Sequence, residues 1–186
     1  MSEHAESFYE FLKNKKYLEA IKILKEHAEI IHIRTPFIFG GQAGDADDFK
    51  GKTHSILTAA VNEGDLKVVV ECLSAGADVY ERGMFGETPL HTACWYGYHE
   101  IAKLLVDKGA PLEVSDAQNN GTPITWAVAG GTKDAWCGKS YHVECIDLLY
   151  SKGAVLSNDT IKRIRGAGGP FTKEVETFFK ENKFDI

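Results

Sequence analysis

Cys137, His142 and Cys145 are the residues whose types and spacing come closest to those of a reactive site. They follow a C-x4-H-x2-C pattern, and thiol and imidazole groups serve both as zinc ligands and as a nucleophile with its base. A structural zinc site needs a fourth ligand, and a thiol enzyme needs a group that orients its histidine. No residue at a diagnostic spacing supplies either. We therefore predict no metal site, no cofactor and no catalytic residue, and keep as the alternative a small thiol-dependent enzyme that uses Cys137 and His142.

Two glycine-rich segments, residues 40–44 and 166–170, are the other candidates for chemistry. Glycine-rich loops can bind phosphate groups, but neither segment contains the G-x-x-x-x-G-K-[ST] pattern or the strand-to-helix context of a dinucleotide site. Both segments are interpreted as turns. The formal net charge of −6 also counts against a nucleic acid partner, since an acidic surface repels phosphates.

Length and composition set further bounds. The chain has 186 residues, of which 44% are hydrophobic and 26% charged, as is typical of a folded globular domain. Its apolar runs are much shorter than the ~18 residues of a membrane-spanning helix, and its first residues lack the basic and apolar regions of a signal peptide. The four cysteines have no paired spacing. These features predict a cytoplasmic protein with reduced thiols and no membrane partner.

A repeated pattern organises the middle of the chain. Gly64 and Gly97 are 33 residues apart, and so are Gly76 and Gly109. A third copy ends at Gly153, 44 residues after Gly109, because an insertion near residues 132–141 lengthens it. A fixed period of this length predicts a solenoid in which each unit buries its apolar face against its neighbours.

Each copy predicts two helices of different size. The first is rich in small residues and, in the second and third copies, opens with a Thr-Pro pair whose threonine, Thr88 or Thr122, is expected to cap it. The second helix is larger and amphipathic, with apolar residues three and four apart. Cysteine replaces an aliphatic core residue at Cys72, Cys94 and Cys145, so we predict that these three thiols are buried.

The segment Gly86-Glu87-Thr88-Pro89-Leu90-His91-Thr92-Ala93, together with the 33-residue period, resembles the ankyrin repeat. The resemblance is close over residues 83–115 and looser over 50–82 and 116–158, which lack the histidine. It implies an all-α solenoid of stacked helix-turn-helix units with short hairpin loops. In this family the histidine ties neighbouring hairpins together, so the resemblance implies a structural role for His91.

The predicted organisation is a single domain over residues 1–186. Residues 1–34 are expected to form two N-terminal capping helices, at 7–14 and 17–30, with Leu18, Ile21 and Leu24 facing inward. A loop is predicted over residues 35–49, repeats over 50–82, 83–115 and 116–158, and a C-terminal cap over 159–186 with helices at 159–165 and 172–182. The terminal pairs diverge because the end units of a solenoid need one polar face.

The resemblance also implies what the protein does. Ankyrin repeats suggest a non-enzymatic protein-interaction module, an adaptor, scaffold or inhibitor, that binds a protein partner through its concave face. We expect the protein to be a monomer. We also expect its partner to be basic, because carboxylates such as Glu81, Glu113 and Asp116 would attract positive charge. Aromatic residues and methionine predominate in interaction hot spots. The predicted partner-binding residues match the family's hairpin tips and helix ends, with one tryptophan of the insertion added: Met84, Phe85, Glu87, Trp95, Tyr96, Gln118 and Trp136.

Overall fold

The computed structural model describes residues 3–36, 53–133, 135 and 141–185. Within these residues the chain forms ten α-helices, one 3-10 helix and one short two-stranded sheet. The predicted all-α helical solenoid is therefore confirmed, and the small sheet is an addition to it. Packing divides the chain into two compact units, residues 1–89 and 90–186, which are described one at a time.

The first unit contains two pairs of helices. The elements are, in order, α1 (Glu3–Lys13), α2 (Tyr17–Glu26), a 3-10 helix (Ala28–His32), strands β1 (Arg34–Pro36) and β2 (Thr53–Ser55), and helices α3 (Ile56–Glu63) and α4 (Leu66–Ser74). The two strands pair antiparallel, with Arg34 opposite Ser55. Side-chain caps start the second helical pair, because Ser55 accepts from the Thr58 amide and Asp65 from the Val68 amide.

Four predictions for the first unit are corrected. The first helix, predicted over 7–14, begins at Glu3 and ends at Lys13. The helix predicted over 17–30 ends at Glu26, and a 3-10 helix follows it. Leu18, predicted to face inward, is 77% exposed. Its helix buries Ala20 and Leu24, and a residue two positions before Ala20 points to the opposite side of a helix. The predicted loop over 35–49 loses its first two residues to β1, and the rest of it lies outside the described residues.

The second unit begins within helix α5 (Pro89–Trp95), whose first residue belongs to the first unit. The other helices are α6 (His99–Asp107), α7 (Pro123–Gly130), α8 (His142–Ser151), α9 (Asn158–Gly168) and α10 (Lys173–Glu181). Helix α9 extends three residues beyond the predicted end at 165, so the interpretation of residues 166–170 as a turn is wrong for 166–168. Helix α10 lies within the predicted 172–182. Edge-to-face aromatic contacts close the C-terminal part of this unit and involve Tyr150, Phe171, Phe178, Phe179 and Phe184.

The segment after α7 is tied to the segment before α10. Lys133 N donates to the Pro170 carbonyl at 2.8 Å, and Thr172 N donates to the Gly131 carbonyl at 3.0 Å. Where the chain re-enters α8, Tyr141 N donates to the Gly97 carbonyl at 3.2 Å. The chain is therefore anchored by backbone hydrogen bonds on both sides of residues 136–140. These five residues, which include Cys137, lie outside the described residues.

The three cysteines predicted to belong to the core are fully buried. Burial raises the pKa of the Cys72 thiol, and it also raises the pKa of the Cys94 thiol, which has Cys145 as a hydrogen-bond partner. The predicted cap at Thr122 is wrong, because this N-cap residue makes no side-chain capping bond. Its carbonyl instead accepts a hydrogen bond from the Thr125 hydroxyl at 2.8 Å. In the described part of the chain, no helix has the length and apolar character needed to cross a membrane.

Candidate functional site

The hairpin before α7 is held by one carboxylate. Asp116 Oδ1 accepts from the backbone amides of Gln118 at 2.8 Å and Asn119 at 2.7 Å. Its Oδ2 accepts from the Gly121 amide at 2.9 Å and from Trp126 Nε1 at 2.8 Å. Asp116 is only 3% exposed. Burial by itself raises the pKa of this carboxyl, but the hydrogen bonds that the ionised form accepts lower it below its ordinary value.

Glycine is required at the base of this hairpin. A Cβ atom on Gly121 would lie 2.5 Å from Asp116 Oδ2 and 2.9 Å from Trp126 Nε1. Real Cβ atoms do not approach other atoms this closely, so any larger residue would displace the carboxylate or the indole. The hairpin tip itself is exposed, from Ala117 to Asn120.

His91 joins the same network from α5. Its Nε2 donates to the Gly121 carbonyl at 3.0 Å, and the side chain is fully buried. The imidazole also makes an edge contact with the indole of Trp126, with ring centroids 5.3 Å apart. The structural hydrogen-bonding role implied for this residue is therefore confirmed.

Two indoles lie beside this network. Trp95 and Trp126 meet edge to face, with centroids 5.9 Å apart, and both side chains are half-buried. The carbonyl of Trp95 accepts from Nε2 of the buried His142 at 2.9 Å. Gly130 permits this approach, because a Cβ atom there would lie 2.4 Å from the Trp95 carbonyl oxygen. The end of α5 is thus fixed in position from α7 and α8.

The geometry of His142 bears on the thiol enzyme considered above. A catalytic base needs a nitrogen that can accept a proton from its nucleophile, and because Nε2 of His142 donates to the Trp95 carbonyl, Nδ1 is the ring nitrogen that would have to take that role. The proposed nucleophile, Cys137, lies outside the described residues. Among the described residues, no group of three or more potential metal ligands is found.

The predicted partner-binding residues divide between the two units. Met84 and Phe85 are partly exposed in the first unit. Glu87 is buried there, and its carboxylate accepts from the Phe85 amide at 2.8 Å, so this side chain organises its own hairpin. Trp95 and Tyr96 are partly exposed in the second unit, where Gln118 is at the exposed hairpin tip. Trp136 lies outside the described residues.

Within the second unit, the hydrogen bonds and ring contacts connect Gln118 to Trp95 through Asp116 and Trp126. Beside Trp95, Tyr96 stacks on Tyr98 with centroids 5.4 Å apart. Trp126 is not among the site residues predicted from the sequence, although one signal for it was available. This tryptophan interrupts a helix of small residues, at a position where the second copy carries Thr92, 34 residues earlier.

Comparisons with known proteins identify the repeats. A family model described as ankyrin repeats, in three copies, matches residues 56–160. Three curated relatives are similar to parts of the chain. A putative ankyrin repeat protein of Rickettsia bellii is 30% identical over 113 residues, covering 58% of this chain and 64% of that protein. The human protein phosphatase 1 regulatory subunit 27 is 40% identical over 60 residues, covering 32% and 39%. The bovine inactive serine/threonine-protein kinase TEX14 is 29% identical over 123 residues, covering 66% and 7%.

The chain therefore spans a small part of the bovine inactive kinase and less than half of the human phosphatase regulatory subunit. Ankyrin repeats are protein–protein interaction modules, and the family is generally non-catalytic. Because the family model covers more than half of the chain and the helices recur with the expected period, this protein belongs to the ankyrin repeat family.

Proposed function

We propose that this protein is a non-enzymatic adaptor or inhibitor that binds one protein partner through an aromatic surface of its second unit. We define this aromatic surface by Trp95, Tyr96, Trp126 and Gln118. The observation that carries the proposal is the pair of half-buried indoles, which meet edge to face beside an exposed hairpin tip. Tryptophan and tyrosine dominate the energetics of protein interfaces, because they bury a large area with few rotatable bonds.

Preorganisation of the surface supports the proposal. Asp116 holds the indole of Trp126 by its nitrogen, and the same carboxylate fixes the backbone of the hairpin tip. His142 holds the backbone of Trp95. A partner that binds here would pay little to order these groups, and a lower ordering cost raises affinity.

We keep the expectation of a basic partner, but individual carboxylates do not support it. The carboxylates expected to attract a basic partner are engaged within the protein: Asp116 in its hairpin, Glu81 with Arg34 at 3.6 Å, and Glu113 with the Val155 amide at 2.9 Å. Support for a basic partner is therefore the net charge of −6 alone. We propose further that the protein acts as a monomer in the cytoplasm, in keeping with the three buried free thiols found among the described residues.

The names of relatives point in the same direction. The human protein that shares 40% identity over 60 residues is named as a regulatory subunit of protein phosphatase 1. A subunit of that kind acts by binding another protein. The proposal takes from this relative only the mode of action, and not the phosphatase as a partner.

Affinity capture with surface variants tests the proposal. Wild-type protein is compared with the double variant Trp95→Ala, Tyr96→Ala, and captured proteins are identified by mass spectrometry. Truncation of a hot-spot aromatic costs about 1 to 4 kcal/mol, so we expect the double variant to lose a partner that the wild type retains. Tyr80→Ala removes an exposed aromatic of the first unit, and this matched control should retain the partner.

A second variant separates loss of binding from loss of folding. The Gln118→Ala, Asn119→Ala double variant changes exposed side chains whose backbone amides, and not their side chains, bond to Asp116. It should weaken capture while leaving the circular dichroism melting curve unchanged. Equal capture by the wild type and by both folded variants would refute the aromatic surface as the binding site.

A further inference from the structure

An asparagine precedes a glycine at the tip of the hairpin before α7. Asn120 and Gly121 form this pair, and none of the other five asparagines of the chain is followed by glycine. Asparagine converts to aspartate when the backbone nitrogen of the next residue attacks its side-chain amide carbon. Glycine permits this attack because it has no Cβ atom to obstruct it. The pair is therefore the place in the chain where this chemistry is least hindered.

The fold selects both members of the pair. Asn120 has a φ of +53°, in the left-handed region where asparagine is better tolerated than most residues. Two residues before the Thr-Pro pair of the second copy, the corresponding residue is Gly86, with a φ of +74°. At Gly121, a Cβ atom would lie 2.5 Å from Asp116 Oδ2. Backbone conformation at one residue and lack of space at the next thus favour an Asn-Gly pair here.

The two residues differ in how freely they can react. Asn120 is exposed, so water reaches its side chain, whereas Gly121 is buried. The Gly121 N–H donates to Asp116 Oδ2 at 2.9 Å. The Gly121 carbonyl accepts from the Asp116 amide at 2.8 Å and from His91 Nε2 at 3.0 Å. The nitrogen that would attack Asn120 is therefore engaged by a carboxylate, and Gly121 is held at both its N–H and its carbonyl.

We propose that Asn120 is a site of deamidation, and that the carboxylate of Asp116 holds the reaction back while the hairpin is closed. In the reaction, the Gly121 nitrogen loses its proton to hydroxide and forms a bond to Cγ of Asn120. The bond between Cγ and Nδ2 breaks, and Nδ2 leaves as ammonia after taking a proton from water. One water molecule then opens the succinimide ring at either carbonyl carbon, which leaves aspartate or isoaspartate at position 120.

The bond between Gly121 and Asp116 opposes ring closure in two ways. A negative acceptor disfavours a second negative charge beside it, so the Gly121 nitrogen loses its proton less readily. The succinimide nitrogen also carries no hydrogen, so ring closure gives up a charge-assisted hydrogen bond. The closed hairpin and the succinimide therefore exclude each other. This chemistry needs no partner protein and goes beyond the function proposed above.

The products record that the hairpin has opened. Both add a negative charge to a turn that already surrounds the carboxylate of Asp116. Isoaspartate also inserts one carbon into the main chain before Gly121, which displaces the N–H that Asp116 holds. The conversion is consequently a lasting chemical mark on chains whose hairpin has left its closed state.

A time course with the full chain tests the proposal. Wild-type protein is incubated at neutral pH in heavy-oxygen water, once in its native state and once in urea, and its peptides are followed by mass spectrometry. Incorporated solvent oxygen identifies each conversion. In urea we expect Asn120 to convert before any other asparagine. In the native protein it should convert at least about tenfold more slowly, as expected from a hydrogen bond to a charged group.

Three variants assign the protection to Asp116. Asp116→Asn, incubated where circular dichroism shows it to be folded, should convert Asn120 about tenfold faster than the native wild type, because one amide oxygen cannot replace both carboxylate oxygens. Gly153→Ala places alanine at a φ of +93° at the end of α8 and lowers stability elsewhere. Trp126→Phe keeps the bond between Asp116 and Gly121. Both of these controls should stay within about threefold of the wild-type rate.

Other outcomes overturn the proposal. Faster conversion of another asparagine in urea would refute the site, and equal native and unfolded rates at Asn120 would refute the protection. A folded Asp116→Asn with the wild-type rate, or equal acceleration by Gly153→Ala, would refute the role of the carboxylate. If Asp116→Asn does not fold, hydrogen exchange of the Gly121 amide in the wild type decides. Exchange at the unfolded rate would contradict the bond to Asp116, whereas protection by about the factor that slows conversion would support it.

Discussion

The carboxylate of Asp116 accepts hydrogen bonds from three backbone amides and one indole, and all four donors belong to the hairpin or to the aromatic surface beside it. Such bonds are strong because the acceptor is ionised. They also hold the pKa of Asp116 below its ordinary value of 3.8, against the opposing effect of burial. A single side chain thus links the stability of the hairpin to pH.

The variant Asp116→Asn should lower the free energy of unfolding by about 2 kcal/mol at neutral pH, because an amide cannot satisfy these four donors as a carboxylate does. The folded pKa is depressed, so the stability contributed by Asp116 is complete above about pH 4 and is lost as the pH falls through the folded pKa. Urea unfolding at a series of pH values should therefore show wild type and variant converging in acid.

The control for this measurement is Asp147→Asn, which changes an exposed carboxylate on α8. It should leave the free energy of unfolding within about 0.5 kcal/mol of the wild type at each pH. A difference between wild type and Asp116→Asn that stayed constant down to strongly acidic pH would contradict the role assigned to the charge.

At the scale of elements, backbone conformation decides how each larger helix ends. Gly153 follows α8 with φ of +93°, a conformation that residues with a Cβ atom rarely adopt. Gly166 lies inside α9. A Cβ atom built on either glycine meets no atom within 4 Å, so space is available at both positions and only the backbone conformation distinguishes them.

The same substitution should consequently have opposite effects at these two glycines. Gly153→Ala is expected to destabilise the protein by about 1 kcal/mol, because alanine is strained at positive φ. Gly166→Ala should stabilise it by up to about 1 kcal/mol, because alanine favours a helix and restricts the unfolded chain. Denaturant unfolding of both variants provides the comparison, and each serves as the control for the other. Effects of equal sign would show that the two glycines differ by something other than φ.

At the scale of the whole molecule, fully buried cysteines report on both units. Cys72 lies in the first unit, and Cys94 and Cys145 lie in the second. Burial excludes reagents from these side chains and raises the pKa of the Cys72 and Cys94 thiols, so the reactive thiolate is scarce.

Thiol labelling followed by peptide mass spectrometry should find these three cysteines unmodified in the native protein at neutral pH. The same residues should react completely in denaturant, which serves as the control. Because the pKa values of Cys72 and Cys94 lie above the ordinary range, a moderate rise in pH should not accelerate their labelling. Rapid native labelling of any of the three would contradict its place in the core.

Much of the fold could be predicted because its signals are local. The amphipathic spacing depends on a short stretch of chain, and the 33-residue period and the cysteines at aliphatic positions come from comparing such stretches between copies; all predicted buried thiols are confirmed. The misplacement of Leu18 has the same origin. Periodicity at the start of a helix shows that one side is apolar, but it does not reveal which side the neighbouring helices cover.

By itself, the sequence determined the repeat and its helices, since these follow from residue type at a fixed spacing, and its resemblance to the ankyrin repeat implied the structural role of His91. Only the tertiary structure decided what Glu87, Asp116 and His142 do. Each was a candidate for an exposed charge or a base, and each is committed to hydrogen bonds, the last with a backbone carbonyl 47 residues away. A side chain's partners depend on which atoms the folded chain brings within about 3 Å, and sequence spacing does not encode that distance.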